Sequence, residues 1–218
     1  MGVVAESQAT KIMAEQSIAN LIVGLGQTGL ACAAHFARRG EAFAVTDSRS
    51  KPPALEAFSA AFPDATLFLG GFDPMVFWRA RRLILSPGVS PEESVIKAAH
   101  NRGVEVIGDI ELFAREAKAP VAAITGSNGK STVTALLGEM ARTAGLEVRV
   151  GGNIGTPALS LLQDSEPDLY VLELSSFQLE TTQSLNAAAA AVLNISPDHM
   201  DRYADLEAYG AAKARIYR

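Results

Sequence analysis

The chain has 218 residues, a hydrophobic share of 48%, a charged share of 20% and a formal net charge of −5. These values describe a globular protein of one large or two ordinary domains and exclude a general electrostatic attraction to nucleic acid. A single cysteine, Cys32, excludes internal disulfides and multi-cysteine metal sites. The N-terminus has no basic region followed by an apolar core, and no apolar run approaches eighteen residues. We therefore expect a cytoplasmic protein that is neither secreted nor embedded in a membrane.

The first half of the chain alternates short apolar runs with helical segments. Residues 1–19 are polar without a clear period, so we expect a loose extension. Strands are predicted at residues 21–23, 42–46, 66–69, 83–86 and 104–107, and helices at residues 29–39, 55–62 and 91–101. Strands that alternate with helices form mostly parallel sheets covered on both faces. Residues 20–112 are therefore predicted to form a Rossmann-like α/β domain.

A glycine-rich turn, G-L-G-Q-T-G at residues 24–29, lies between the first predicted strand and helix. Its G-x-G-x-x-G spacing lets backbone approach a diphosphate closely, and Asp47 follows at the end of the next strand, where a carboxylate can bond a sugar or base. The pattern is only moderately specific. From these residues alone, NAD, another diphosphate ligand and a purely structural turn all stay open.

The second half opens with V-A-A-I-T-G-S-N-G-K-S-T at residues 121–132. A short buried strand, a glycine turn and a helix that begins at Lys130 together predict a phosphate loop for ATP or a relative. Lys130 would contact the β- and γ-phosphates, and the hydroxyl of Ser131 or Thr132 would reach Mg²⁺. The match is imperfect, because only two residues separate Gly126 from Gly129, whereas the standard loop has four.

Further strands are predicted at residues 147–150, 169–174 and 189–195. Three polar residues in this half of the chain are considered for a functional role. Glu173, at the tip of the apolar run L-Y-V-L-E-L, suits a Mg²⁺ ligand, although a salt-bridged strand end is the alternative. His199 lies in a loop with two acids and an arginine, so a functional and a structural role are equally open. Lys213, in the run A-A-K-A, has by itself only the character of a surface lysine.

The end of the chain predicts an interrupted domain. Residues 206–218 have a helical pattern without a stop signal, and the second half contains only about four strands. We expect residues 113–218 to be an incomplete central domain of the P-loop ATPase type and the natural protein to continue beyond it.

Taken together, these motifs resemble the Mur ligases, the ATP-dependent amino-acid-adding enzymes of peptidoglycan synthesis. The resemblance covers residues 20–218 and rests on the motifs G-L-G-Q-T-G, S-P-G-V, G-D-I-E-L-F, T-G-S-N-G-K-S-T, G-G-N-I-G, L-E-L-S-S-F-Q-L-E, D-H-M-D-R-Y and A-A-K. The short-spaced phosphate loop is the usual form in this family. L-E-L-S-S-F-Q-L is the form found in the members that add D-glutamate.

The resemblance implies a set of site residues. The N-terminal domain would hold a UDP-sugar in place of NAD, through Gln27, Thr28, Asp47, Arg49, Ser86, Gly88 and Asn153. ATP would be bound by Gly126, Ser127, Asn128, Gly129, Lys130, Ser131 and Thr132. Mg²⁺ would be held by Ser131, Glu173, His199 and a carbamylated Lys213, and the catalytic residues would be Lys130, His199 and Lys213.

The resemblance also implies UDP-N-acetylmuramoyl-L-alanine, ATP and D-glutamate as substrates, an acyl-phosphate intermediate, and a monomer with a part in cell-wall growth, cell shape and division. In the family a third domain binds D-glutamate, and nothing in this sequence corresponds to it, so we expect the chain alone not to complete ligation. Two other classes stay open. An NAD-dependent oxidoreductase would leave the ATP loop and Glu173 unexplained, and a non-catalytic nucleotide-binding fragment would act as a UDP-sugar sensor or partner subunit.

Overall fold

The computed structural model describes residues 17–218. The loose extension expected over residues 1–19 lies almost wholly outside the described residues. The first strand begins at Ile18, so residues 18 and 19 belong to the sheet and not to an extension.

The first unit is a five-stranded, wholly parallel sheet. Its order is β3-β2-β1-β4-β5, with β1 (Ile18–Val23), β2 (Phe43–Asp47), β3 (Thr66–Leu69), β4 (Ala80–Leu85) and β5 (Glu105–Gly108). The connecting helices are α1 (Gln27–Arg38), α2 (Leu55–Ala61), α3 (Pro74–Trp78) and α4 (Ser94–Asn101). The chain reverses its direction of winding between β1 and β4, and a crevice opens at such a point beyond the carboxyl ends of the strands.

The second unit is a four-stranded parallel sheet. Its order is β7-β8-β6-β9, with β6 (Val121–Thr125), β7 (Val148–Gly152), β8 (Leu169–Glu173) and β9 (Ala189–Val192). Its helices are α6 (Lys130–Thr143), α7 (Ala158–Leu161), α8 (Ser176–Glu180) and α9 (Leu206–Ala214), and a 3₁₀ turn (Arg215–Tyr217) follows α9. The predicted α/β class with parallel sheets is confirmed.

The apolar core explains why these runs become central strands. In β1, Leu21 and Val23 belong to one buried cluster, and Ile22 belongs to another on the opposite face of the sheet. Both faces are therefore covered, as expected for a parallel sheet. The cluster that contains Ile22 continues into the other unit, where Phe113 packs edge-to-face on Tyr170 of β8 with ring centroids 5.0 Å apart. The two units share one continuous apolar core.

The helix after β5 was not predicted. The charged segment there forms α5 (Asp109–Glu116), in which Asp109 and Glu111 are buried. A charged segment that ends in proline, as residues 108–120 do, suggests a domain boundary, but these two acids point into the protein and accept hydrogen bonds there. The predicted division between residues 112 and 113 lies inside this helix and stays a prediction.

Other differences concern short elements and helix ends. Helices α3, α7 and α8 have five residues or fewer, too few to show a helical period in the sequence. The predicted helix over residues 206–218 ends at Ala214. Within residues 17–218, no helix combines the length and the apolar character needed to cross a bilayer.

Candidate active site

A cavity of about 600 Å³ opens at the carboxyl ends of β1, β2 and β4. Its volume falls in the ordinary range for small-molecule sites. It is lined by every residue predicted to bind the substrate, namely Gln27, Thr28, Asp47, Arg49, Ser86, Gly88 and Asn153. Asn153 comes from the second unit and all the others come from the first. The cavity thus spans the junction between the two sheets.

The glycine turn of the cavity contains glycines of two kinds. A Cβ on Gly29 would lie 2.1 Å from the carbonyl oxygen of Gly24, and a Cβ on Gly24 would lie 2.9 Å from the Cβ of Ser86. These two positions must be glycine for the turn to pack. A Cβ on Gly26, in contrast, would meet no atom within 4 Å, although Gly26 lines the cavity. Its missing side chain leaves the backbone of the turn open to a ligand.

Asp47 organises this end of the cavity. Its carboxylate accepts hydrogen bonds from the backbone N–H of Leu25 (2.7 Å) and of Arg49 (2.9 Å), and Arg49 donates twice more through Nε (2.9 Å) and Nη2 (2.7 Å). Burial raises the pKa of Asp47, but the bonds from Arg49 and Leu25 outweigh it, and the net pKa is lowered. Asp47 therefore stays ionised and positions the turn and the half-exposed guanidinium of Arg49.

The phosphate loop connects β6 to α6. Gly129, with φ +80°, occupies the left-handed position immediately before α6. Lys130 Nζ donates to the carbonyl oxygens of Gly126 (2.9 Å) and Ser127 (3.1 Å), so the lysine curls over its own loop. The hydroxyl of Ser127 donates to the carbonyl oxygen of Ser196 (3.0 Å), which fixes the loop to the segment that follows β9. The charge of Lys130 is thereby held at the open end of the loop.

Glu173 connects the phosphate loop to the cavity. Its buried carboxylate accepts from the hydroxyl of Ser131 at Oε2 (2.7 Å) and from the side-chain amide of Asn153 at Oε1 (2.7 Å). The backbone N–H of Asn153 also donates to the carbonyl oxygen of Glu173 (2.7 Å). A Cβ on Gly152 would lie 2.3 Å from that same oxygen. The glycine pair of G-G-N-I-G therefore lets Asn153 lie directly against Glu173.

Lys213 is buried, so its interpretation as a surface lysine from local sequence is wrong. Its Nζ lies 3.4 Å from Thr125 Oγ1 and 4.6 Å from the ring centroid of Tyr209. Burial, with a smaller contribution from Lys130, lowers the pKa of Lys213 to about 8, although Asp198 and Glu173 act in the opposite direction. At pH 7 about a tenth of this amine is therefore neutral and nucleophilic, far more than for an ordinary lysine.

The predicted metal ligands are brought together only in part. Ser131 and Glu173 place two hard oxygen atoms 2.7 Å apart, close to the spacing of about 2.9 Å between neighbouring ligands of an octahedral Mg²⁺ ion. His199 is 43% exposed, and its ring lies 4.7 Å from that of Phe177. In the described part of the chain, no three His, Cys, Asp or Glu side chains are grouped closely enough to hold a metal ion. The oxygen pair fits Mg²⁺, whereas the full predicted set is not assembled.

Sequence reasoning missed several residues that line the cavity, namely Ser48, Phe72, Pro87 and Val89. Three of them could have been found from the sequence, because Ser48 follows Asp47 directly and Pro87 and Val89 belong to the motif S-P-G-V. Phe72 has none, since its place depends on how the segment between β3 and α3 folds over the sheet. The residues that surround Lys213 were also missed, because Thr125 and Tyr209 are far from it in sequence.

Two family models match the chain. The model described as "Mur ligase MurD-like, N-terminal domain" matches residues 19–108, and the "Mur ligase middle domain" matches residues 124–218. A UDP-N-acetylmuramoylalanine--D-glutamate ligase of Nitrosococcus oceani is 62% identical over 199 residues, which are 91% of this chain and 44% of that protein. A ligase of the same name from Marinobacter nauticus is 59% identical, with the same two shares. The chain thus spans less than half the length of these relatives.

Solved structures show the same fold at low identity. The UDP-N-acetylmuramate:L-alanyl-gamma-D-glutamyl-meso-diaminopimelate ligase of Neisseria meningitides aligns with a TM-score of 0.59 at 20% identity, over 92% of this chain and 67% of that one. The UDP-N-acetylmuramate-alanine ligase of Thermotoga maritima aligns with a TM-score of 0.53 at 20% identity, over 91% and 46% of the two chains. At such identity these likenesses concern the fold alone.

Proposed function

This chain belongs to the Mur ligase family, and on that premise we propose that it carries the UDP-substrate site and the ATP site of a ligase that adds D-glutamate to UDP-N-acetylmuramoyl-L-alanine. The relatives from Nitrosococcus oceani and Marinobacter nauticus carry that activity in their name. Because the chain spans 44% of their length, the complete reaction belongs to the longer protein. A D-glutamate site is not part of the proposal for residues 17–218.

The observation that carries the proposal is the shared carboxylate of Glu173. One of its oxygens accepts from Ser131, the second residue of the helix after the phosphate loop, and the other accepts from Asn153, which lines the cavity. A triphosphate on the loop and a ligand in the cavity would therefore meet at this residue. A reaction between the end of a sugar nucleotide and the γ-phosphate of ATP needs that arrangement.

The first unit supplies groups suited to a nucleoside diphosphate sugar. The open backbone at Gly26 and the guanidinium of Arg49 suit a diphosphate, and polar side chains along the cavity suit a base and sugar. The acyl end of the substrate would then lie toward Asn153, through which the second unit lines the cavity. In this orientation the substrate carboxylate reaches the phosphate loop.

In the proposed first step, an oxygen of the substrate carboxylate forms a bond to the γ-phosphorus of ATP, and the bond from that phosphorus to the β–γ bridging oxygen breaks. ADP leaves with the electron pair, and an acyl phosphate is formed. Lys130 offsets the charge that develops on the phosphate oxygens. To do so, the Lys130 ammonium gives up its hydrogen bonds to the carbonyl oxygens of Gly126 and Ser127 and binds the phosphates.

In the second step, the amine of D-glutamate attacks the acyl carbon and gives a tetrahedral intermediate. The intermediate expels inorganic phosphate, the nitrogen loses a proton, and an amide remains. Phosphate is a far better leaving group than the oxide of a carboxylate, which explains the need for ATP. His199, half-exposed in the loop that follows β9, is the proposed contact for this end of the reaction.

Mg²⁺ is the proposed metal, with Ser131 and Glu173 as its protein ligands and His199 and Lys213 as further ones. When bound, the ion would neutralise charge on the phosphates. Carbamylation of Lys213 forms a bond from Nζ to the carbon of CO₂ with loss of a proton, and replaces an ammonium with hard oxygen atoms. The burial of this lysine and its lowered pKa favour that reaction.

Calorimetric titration with UDP-N-acetylmuramoyl-L-alanine, with NADH as a parallel ligand, tests the proposal. We expect saturable binding of the sugar nucleotide and none of NADH. Binding of NADH alone would replace the proposal with an oxidoreductase, and binding of neither would remove the cavity as a nucleotide site. A parallel titration with ATP and Mg²⁺ tests the phosphate loop, where Lys130→Ala should abolish binding and Lys51→Ala, an exposed lysine, should not.

A further inference from the structure

Helix α5 connects the two units and contacts both of them. On the side of the first unit, Glu116 accepts from His35 Nε2 (3.0 Å) and Arg39 Nη1 (3.1 Å) of α1, and Arg115 forms an ion pair with Glu105 of β5 (2.8 Å). These contacts join the last turn of the helix to the sheet that forms most of the cavity. The first turn of α5 faces the other way, toward the second unit.

Glu111 is the strongest contact of this helix with the second unit. Its Oε2 accepts from the backbone N–H groups of Gln183 (2.7 Å) and Ser184 (2.9 Å), and its Oε1 accepts from the Ser184 hydroxyl (2.8 Å) and from Arg115 Nε (2.9 Å). Burial raises the pKa of Glu111, but the backbone N–H groups of Gln183 and Ser184 and the other donors lower it overall. A buried, ionised carboxylate therefore holds the segment after α8.

Two more contacts continue this junction. The backbone N–H of Gly108 donates to the carbonyl oxygen of Thr181 (3.3 Å), and a Cβ on Gly108 would lie 2.3 Å from Thr181 Oγ1. Asp109 Oδ2 accepts from Gln178 Nε2 (3.3 Å). The approach of the helix to the second unit is thus close enough to exclude any side chain at residue 108.

The junction reaches the strand end that carries Glu173. Gln178 accepts from the backbone N–H of Ser175 (3.0 Å), and Ser175 Oγ accepts from the backbone N–H of Gln178 (3.2 Å), which closes a capping box on α8. Ser175 is two residues beyond Glu173. At the other end of β8, Phe113 of α5 packs edge-to-face on Tyr170. Helix α5 therefore contacts this strand and its continuation on both sides of Glu173.

We infer that α5 is a positioning element, in which Glu111 sets the place of Glu173 and Asn153 against the cavity of the first unit. The inference rests on the proposed function for the identity of the ligand. Glu111 does not line the cavity and acts only through the segment that it holds. Its loss would let the second unit turn away, and Asn153 would then no longer reach a bound sugar nucleotide.

A double-mutant cycle tests this role with calorimetric affinity for UDP-N-acetylmuramoyl-L-alanine. Glu111→Gln replaces one acceptor oxygen with an N–H₂ group, which cannot accept from the N–H groups of Gln183 and Ser184 on one side or from Arg115 on the other. We expect about a tenfold loss of affinity in Glu111→Gln and in Asn153→Ala, and no further loss when the two are combined. Glu92→Gln is the matched control, since Glu92 is an exposed acid of the first unit that pairs with Lys97 and not with α5, and its affinity should equal that of the parent. The inference would be overturned if the two losses of affinity multiplied in the double variant, or if the affinity of Glu111→Gln were unchanged.

A distance measurement keeps the test independent of the ligand. Spin labels at cysteines introduced for Ser59 and Ala135, exposed on α2 and α6, report the separation of the two units, with Cys32 replaced by Ala. Glu111→Gln should broaden the distance distribution, and Glu92→Gln should not. If Glu111→Gln fails to fold, Ser184→Ala, which removes one of the four bonds, takes its place. An unchanged distribution disproves the positioning role, whereas failure of the parent to bind the sugar nucleotide disproves the proposed function alone.

Discussion

Asn153 donates its side-chain amide to Glu173 Oε1 across 2.7 Å, and the two residues come from the ends of neighbouring strands β7 and β8. Asn153 lines the cavity of the first unit, whereas Glu173 bonds the start of the phosphate-loop helix. This contact brings the cavity of the first unit and the phosphate loop of the second unit together at one pair of side chains.

Asn153→Ala should weaken binding of UDP-N-acetylmuramoyl-L-alanine about tenfold, because it removes a polar group from the cavity and leaves Glu173 Oε1 without its donor. Binding of ATP to the phosphate loop should change much less. Calorimetry with each ligand separates the two effects. Asn101→Ala is the control, since Asn101 is an exposed residue at the end of α4. Equal affinity for the sugar nucleotide in both variants would exclude Asn153 from the site.

Gly29→Ala and Gly26→Ala should fail in different ways. The added methyl group of the first would lie 2.1 Å from a backbone oxygen, so we expect a loss of stability of about 3 kcal/mol. In Gly26→Ala, the added methyl group meets no atom within 4 Å, so stability should change by less than about 1 kcal/mol. This variant should nevertheless weaken sugar-nucleotide binding at least tenfold. Urea denaturation and calorimetry measure the two properties. A Gly26→Ala variant that binds normally would show that the ligand does not approach the turn.

Lys213 should form a carbamate with CO₂, because burial lowers its pKa to about 8. In ¹³C-labelled bicarbonate, a carbamate signal should appear in the NMR spectrum, increase as the pH rises through about 8, and disappear in Lys213→Ala. Lys51→Ala, an exposed lysine, should leave it unchanged. A signal that survives in Lys213→Ala would assign the carbamate to another amine.

Asp109→Asn should stabilise the protein above pH 6. Burial raises the pKa of Asp109 from 3.8 to about 6, and the bond from Gln178 only partly opposes this. The folded state thus favours the protonated acid. The stability that depends on Asp109 is therefore complete below pH 3.8 and is lost as the pH rises through about 6. A difference of about two pKa units corresponds to about 3 kcal/mol.

Urea denaturation of Asp109→Asn and the parent at pH 5 and pH 8 measures this effect. The variant should be more stable at pH 8, and the difference should shrink toward pH 5. Asp64→Asn makes the same chemical change at an exposed position and should show no such trend. A pH-independent difference for Asp109→Asn would assign its effect to the Gln178 contact and not to titration.

The strand ends could be predicted because each depends on a short, local pattern. The turn at residues 24–29 and the loop at residues 126–129 need glycines at fixed spacings, since backbone clashes or left-handed φ angles exclude other residues. Both therefore stand out in the sequence without knowledge of the neighbours. The same holds for Glu173, a lone acid at the tip of an apolar strand.

Lys213 and α5 could not be predicted because their roles depend on residues distant in the chain. Lys213 looks like any surface lysine until α9 packs it against Thr125. The acids of α5 look like an exposed boundary until Glu111 meets the N–H groups of Gln183 and Ser184, more than seventy positions away. Local patterns carry no information on such pairings.

The sequence by itself determined the fold class, the two glycine turns and the residues at the strand ends, because periodicity and backbone sterics are local properties. Only the tertiary structure decided that Asn153 reaches the cavity of the other unit, that Lys213 is buried with a lowered pKa, and that α5 fixes one unit to the other. Burial and hydrogen bonding between distant segments arise when the sheets pack, so they appear only in the folded chain.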